Sequence, residues 1–260
     1  MKIPIYQIDA FTSKIFSGNP AAVCPLEHWL EDHQMQSIAA ENNLSETAFF
    51  VKKDDYYELR WFTPTTEVEL CGHATLASAF VIFNYLDRSA ESVTFETNKS
   101  GTLIVRCEDT LLSMDFPARK PISCDTPGVL VQALGENPQE VLSSRDYLIV
   151  FDTEDIVRSL KPDMILLKQL DSLGIIVTAV GKNSDFVSRF FAPKVGIPED
   201  PVTGSAHCTL IPYWSEKLAK KKLHAFQVSS RGGELFCEDL GERVKIAGNA
   251  VRYSEGFLYL

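Results

Sequence analysis

Most of the chain alternates apolar and polar positions over short stretches, but two apolar runs are too long for strands. The first covers residues 74–86 and follows Glu67-Val68-Glu69-Leu70-Cys71-Gly72-His73. The second follows Glu199-Asp200-Pro201-Val202-Thr203-Gly204-Ser205-Ala206-His207 and opens with Cys208-Thr209-Leu210-Ile211. In both, an acidic loop and a Gly-small start lead into a segment that predicts a buried helix, over 72–86 and 204–218. Other markers recur in the same order. Arg60-Trp61-Phe62-Thr63-Pro64 is echoed by Arg189-Phe190-Phe191-Ala192-Pro193, 129 residues later. Gly72 and Gly204 are 132 apart, and Cys107-Glu108-Asp109 returns 130 residues later as Cys237-Glu238-Asp239. The pattern predicts two similar halves, each organised on one central helix, with function where the halves meet.

Around these helices the alternation predicts strands over 3–8, 21–24 and 56–62, and a strand entered at Glu46 from the turn Asn42-Asn43-Leu44-Ser45. A helix is expected over 31–42, with Met35, Ile38 and Ala39 on one face. A meander over 92–97, 102–107 and 111–116 follows the first central helix. Its counterpart over 224–229, 234–236 and 243–247 follows the second. Residues 117–126, proline-rich and aperiodic, read as the boundary between the halves. Beyond it, helices are expected over 128–134, 155–160 and 163–170, and strands over 147–151 and 174–180. Two last strands, 251–253 and 257–260, are left over once the second meander is complete, so they are expected to cross back to the first half.

Composition narrows the function classes. Apolar residues make up 45% and charged residues 23% of 260 positions, as in ordinary globular proteins. The net charge of −10 and scattered cations make nucleic acid and anionic membrane poor partners. Lys220-Lys221-Lys222 reads as a helix C-terminus. No uncharged apolar run approaches the ~18 residues of a membrane span. Six cysteines show no CxxC spacing and the first residues lack the apolar core of a signal peptide, so reduced thiols in a cytoplasmic chain are expected.

The candidate chemistry collects at the two helix starts. Free N–H groups and the helix dipole at Gly72 and Gly204 suit an anion. Glu46, where a polar turn becomes an apolar strand, is either a desolvated general base or a solvated strand-start glutamate. His73 orients a ligand carboxylate or shares its proton, or else caps the helix or satisfies the core. Asp200 and Ser205 bind substrate or serve as caps. Cys71 has Thr203 as its counterpart, so a racemase built on two thiols is disfavoured. A metal held by Cys71, His73, His207 and Cys208 lacks a ligand spacing, and no metal is expected. No GxGxxG, P-loop or GxSxG occurs, so no cofactor is expected.

Ile8-Asp9-Ala10-Phe11, Gly18-Asn19-Pro20-Ala21-Ala22-Val23, Asn43-Leu44-Ser45-Glu46-Thr47-Ala48-Phe49 and the two helix-start motifs together resemble the PhzF phenazine-biosynthesis protein family. The resemblance implies an α+β, diaminopimelate-epimerase-like fold. Two pseudo-symmetric domains, 1–117 with 248–260 and 118–247, would each wrap a barrel-like, mostly antiparallel sheet around a central helix. It also implies a homodimer and a cofactor-independent isomerase acting on a small carboxylic acid. The family's catalytic glutamate, histidine and aspartate fall on Glu46, His73 and Asp200. Its substrate-binding positions fall on Gly72, Gly204 and Ser205. The alternatives are a racemase or epimerase of an amino or hydroxy acid, and a non-catalytic small-ligand-binding protein.

Overall fold

The computed structural model describes residues 1–260, which divide into two compact units. The first is Met1–Asp115 with Ala247–Leu260, the second Phe116–Ile246. In chain order the first unit holds β1 (Lys2–Ala10), β2 (Asn19–Leu26), α1 (Asp32–Asn42), β3 (Glu46–Lys52), β4 (Tyr57–Phe62), β5 (Glu67–Val68) and α2 (Gly72–Val81). A π-helical turn, Ile82–Leu86, extends α2 and is followed by β6 (Ser92–Thr97), β7 (Gly101–Glu108) and β8 (Leu111–Pro117). Next come β9 (Ile122–Ser123), α3 (Gly128–Leu134), β10 (Glu140–Ser143), β11 (Tyr147–Val150), α4 (Glu154–Ser159), α5 (Met164–Leu167) and β12 (Ile175–Val180). The chain closes with β13 (Phe186–Ala192), β14 (Ile197–Asp200), α6 (Gly204–Leu218), β15 (Lys222–Gln227), β16 (Gly233–Asp239), β17 (Arg243–Gly248) and β18 (Ala250–Tyr259).

The repeat read from sequence is present in the strand pairing. In the first unit β2 runs parallel to β3, β3 antiparallel to β4, β4 parallel to β6 and β6 antiparallel to β7. The second unit repeats the series with β11 and β12, β12 and β13, β13 and β15, then β15 and β16. Each parallel step needs a crossover. The helices α1 and α2 supply it in one half, α4 with α5 and then α6 in the other. The arginine markers repeat atom by atom. Arg60 donates its Nε and Nη2 to Glu67, at 2.7 and 2.9 Å, and lies over Phe62. Arg189 binds Glu199 through the same fork, at 2.7 and 3.0 Å, and lies over Phe191.

Each sheet has an apolar layer on both faces. Phe49 and Val51 of β3 pack with Met35, Ile38 and Ala39 of α1. Successive strand residues alternate sides, so the equally buried Ala48 and Phe50 face away from α1. Helix α2 packs on β1, β2 and β3, and nearly every residue from His73 to Phe83 is buried. A helix apolar on all sides cannot sit at a surface. Its hydroxyls are consumed internally: Thr75 and Ser78 donate to the carbonyls of Cys71 and Ala74. In α6, residues Ala206 to Ser215 are buried. Trp214 stacks on Phe186 and donates its indole N–H to Thr178. Pro212 lies inside α6 and has no N–H for the carbonyl of Cys208. The backbone N–H of Arg119 takes that carbonyl instead, at 2.9 Å.

Several local expectations change. The two C-terminal strands are one, β18, antiparallel to β1 from Lys2–Tyr259 to Ala10–Ala250. Ser254-Glu255-Gly256 has the composition of a turn, but a register shift between Gln7 and Ile8 absorbs the irregularity. The helix expected over 163–170 is one turn, α5, started by the Asp163 carboxylate accepting from Ile165 and Leu166 N–H. The strands β5, β9, β10 and β14 leave no signal in the sequence, because two to four residues are too few to show a period.

Candidate active site

Glu46 opens β3, shortly after Asn43, whose left-handed conformation (φ 49°) ends α1. Its neighbour Thr47 accepts a hydrogen bond from Asn42 Nδ2. The turn is therefore tied at both ends, and the Glu46 side chain is only 12% exposed. A solvated strand-start glutamate does not fit that burial. His73 is the second residue of α2 and is buried. Its Nε2 lies 3.2 Å from Glu46 Oε2, an ion-pair contact without the angle of a hydrogen bond, and neither atom has a hydrogen-bond partner. His73 Nδ1 lies 3.4 Å from Cys71 Sγ. Thiol, imidazole and carboxylate form a chain through opposite nitrogens of one ring.

The electrostatics of this chain are mixed. Burial alone would disfavour an imidazolium, but Cys71 and Glu46 outweigh it and hold His73 well above its ordinary value. Burial, reinforced by the Glu46 charge, pushes the Cys71 thiol up to about 11. The ligand atoms of Glu46, Cys71 and His73 lie within 4.8 Å of one another, without His207 or Cys208. One cation can take only one ring nitrogen, whereas the thiol and the carboxylate meet different ones. The geometry fits a row of polar contacts on either side of one ring better than a chelate.

The second unit builds its helix start differently. Thr203 is the N-cap of α6 but does not cap it. Its hydroxyl donates to Asp200 Oδ2 and accepts from Gln227 Nε2 at 3.1 Å. Gln227, fully buried on β15, also accepts the Thr203 N–H and donates to the Asp200 carbonyl, both at 2.8 Å. Thr is a strong cap elsewhere. Here Gln227 holds it off the helix. An added Cβ at Gly204 would meet nothing within 4 Å, so neither packing nor backbone demands glycine there. Ser205 Oγ accepts from Arg145 Nη2 at 3.1 Å, and the buried carboxylate of Asp146 fixes that guanidinium through Nε and Nη2. His207 donates Nδ1–H to the Thr203 carbonyl at 2.9 Å, and burial lowers its pKa to about 4, so it is neutral.

Thus Glu46, His73 and Gly72 come together in the first unit, and Asp200, Gly204 and Ser205 in the second. The sequence reading missed Gln227 and Arg145. Arg145 carries no local signal. Gln227 does: with Leu223 and Ala225 it occupies the buried face of β15, where a polar residue is out of place.

Comparison with known proteins extends this picture. The family model described as phenazine biosynthesis-like protein (PhzC-PhzF) matches residues 8–256. An uncharacterised isomerase of Pseudomonas aeruginosa is 53% identical over 260 residues, covering all of both chains. The crystal structure of a phenazine biosynthesis protein of the PhzF family from Enterococcus faecalis superposes with a TM-score of 0.98 at 49% identity, again over all of both chains. A probable proline racemase from Agrobacterium radiobacter shares the fold alone, with a TM-score of 0.63 at 11% identity over 99% of this chain and 93% of that one.

Proposed function

The chain belongs to the PhzF family of phenazine biosynthesis-like proteins and is an isomerase, and on that premise we propose that it moves a proton on a small carboxylic acid with Glu46 as the acid/base. Glu46 takes a proton from carbon and returns it elsewhere on the same molecule. His73 holds Glu46 and supplies a positive partner while the carboxylate is charged. The amides at Gly72 and Gly204, with Ser205, bind the substrate carboxylate and the charge that develops as the proton leaves. Asp200 sets the orientation and protonation of the substrate, and no cofactor takes part. The single observation that carries this reading is the buried Glu46 Oε2, 3.2 Å from His73 Nε2 and without a hydrogen-bond partner. A carboxylate kept this dry beside an imidazole is placed to gain and lose a proton.

The test works on a panel of acids, with the substrate still unidentified. Cyclic amino acids, hydroxy acids and unsaturated ring acids are incubated with the protein in heavy water, and carbon-bound deuterium is sought by mass spectrometry. Wild type labels the true substrate and Glu46→Gln does not. Equal labelling by both removes Glu46 from the mechanism. A racemase or epimerase is the second reading. It would leave the label on the original carbon with inverted configuration, whereas the isomerase leaves it on another carbon. The lone thiol at Cys71, with Thr203 as its counterpart, favours the isomerase. We also assign a homodimer, on the family resemblance, to be checked by light scattering.

A further inference from the structure

The proposed reaction leaves Cys71 without a role, although it is the N-cap of α2 and does not cap it. Its sulfur instead approaches His73 Nδ1, and the other nitrogen of that ring approaches Glu46. Cys71 and His73 are each 6% exposed, which leaves little room for water to stand in for either partner. Thr203, the same position in the second half, also leaves its helix and hydrogen-bonds Asp200. In both halves the capping side chain has turned toward a group given a catalytic role above.

We propose that Cys71 is a positioning residue for proton transfer at Glu46: its sulfur partners the Nδ1 side of His73 in either charge state and so keeps Nε2 beside the carboxylate. The inference rests on the assignment of Glu46 as the base. A thiol can both donate and accept. When His73 is an imidazolium, Nδ1–H donates to sulfur. When the ring is neutral, S–H donates to Nδ1. A backbone carbonyl could only accept, and an alkyl group could do neither. Glu46 alternates between carboxylate and carboxylic acid during turnover, so the pull on Nε2–H changes twice in each cycle. A partner at Nδ1 that tolerates both states prevents the ring from turning away. No bond to sulfur forms, and the thiol is not consumed. The titratable groups at the His73 ring are Cys71 and Glu46.

Cys71→Ser and Cys71→Ala separate this role from its alternatives. A hydroxyl keeps the two-way hydrogen bond, and a methyl group removes it. The His73 imidazole is followed by 15N NMR in histidine-labelled protein, with no ligand added and with His73→Gln for assignment. Cys71→Ala is expected to lower the His73 midpoint by about one unit and to slow deuterium labelling of the acid that wild type labels by about tenfold. Cys71→Ser should restore the midpoint and most of the rate. An unchanged midpoint and rate in Cys71→Ala overturns the proposal. So does a Cys71→Ser protein as inactive as Glu46→Gln, since the thiol itself would then be carrying protons. Should wild type neither label nor rearrange any acid of the panel, the assignment of Glu46 falls, while the ligand-free NMR comparison still decides whether Cys71 governs His73.

Discussion

Gln227 holds Thr203 from two sides, accepting its backbone N–H at 2.8 Å and donating to its hydroxyl at 3.1 Å. With both acceptor and donor of the amide in use, the threonine hydrogen is left for Asp200. Replacing Gln227 by Leu keeps the volume of the side chain but strands the Thr203 N–H away from water. We expect a loss of about 1–3 kcal/mol in urea unfolding, the cost of one such buried donor. A stability unchanged within error would mean that the loop finds other partners.

Gly204 gives the cleanest separation of folding from binding. An alanine there meets open space and sits at a helix start. Gly204→Ala should therefore fold as well as wild type or gain up to about 1 kcal/mol. The added methyl would occupy space assigned above to the substrate carboxylate. KM should rise at least about tenfold, the equivalent of ~1.4 kcal/mol. An unaffected KM removes Gly204 from the site.

The two buried histidines give stability opposite slopes with pH. His73 has its folded pKa raised, so its contribution is complete below about 6.5 and is lost as pH climbs through the folded value. His207 is lowered from 6.5 to about 4, so its contribution is complete above 6.5 and is lost as pH falls. Between pH 7.5 and 5 that loss amounts to about 2 kcal/mol. In denaturant titrations His207→Gln should flatten the acid side by this amount, and His73→Gln should flatten the alkaline side. The reverse pattern would contradict both assignments.

Ala219 ends α6 in a left-handed conformation, φ 49° and ψ 41°, which a Cβ disfavours. Ala219→Gly should raise stability by about 0.5–1 kcal/mol with activity unchanged. Calorimetry at neutral pH reads this directly.

What could be read from the sequence followed from how local each signal is. Helices α2 and α6 announced themselves because a fully buried helix is apolar on every face. Arg60 and Arg189 could be matched because each closes its ion pair within about one loop, on Glu67 and Glu199. Glu46 and His73 stand out as separate candidates, but nothing in the spacing of 27 residues says that they touch. Gln227 reaches Thr203 across 24 residues and Arg145 reaches Ser205 across 60, so neither bond leaves a motif. The acidic loops were legible as loops, yet β5 and β14 lie inside them. Pairing with β4 and β13, not propensity, makes those residues strands.

The proline in α6 has a kinetic consequence. With no N–H at Pro212, the helix cannot close its own ladder, and the missing donor is Arg119, 89 residues before Cys208 in the chain. An α-helix ordinarily zips from local contacts in well under a millisecond. This one acquires its last rung only after a large loop has been closed, at the entropic cost that slows non-local pairing. Helix α6 should therefore consolidate late, together with the segment carrying Arg119, so the start of the helix at Gly204 gains its final rigidity at the end of folding.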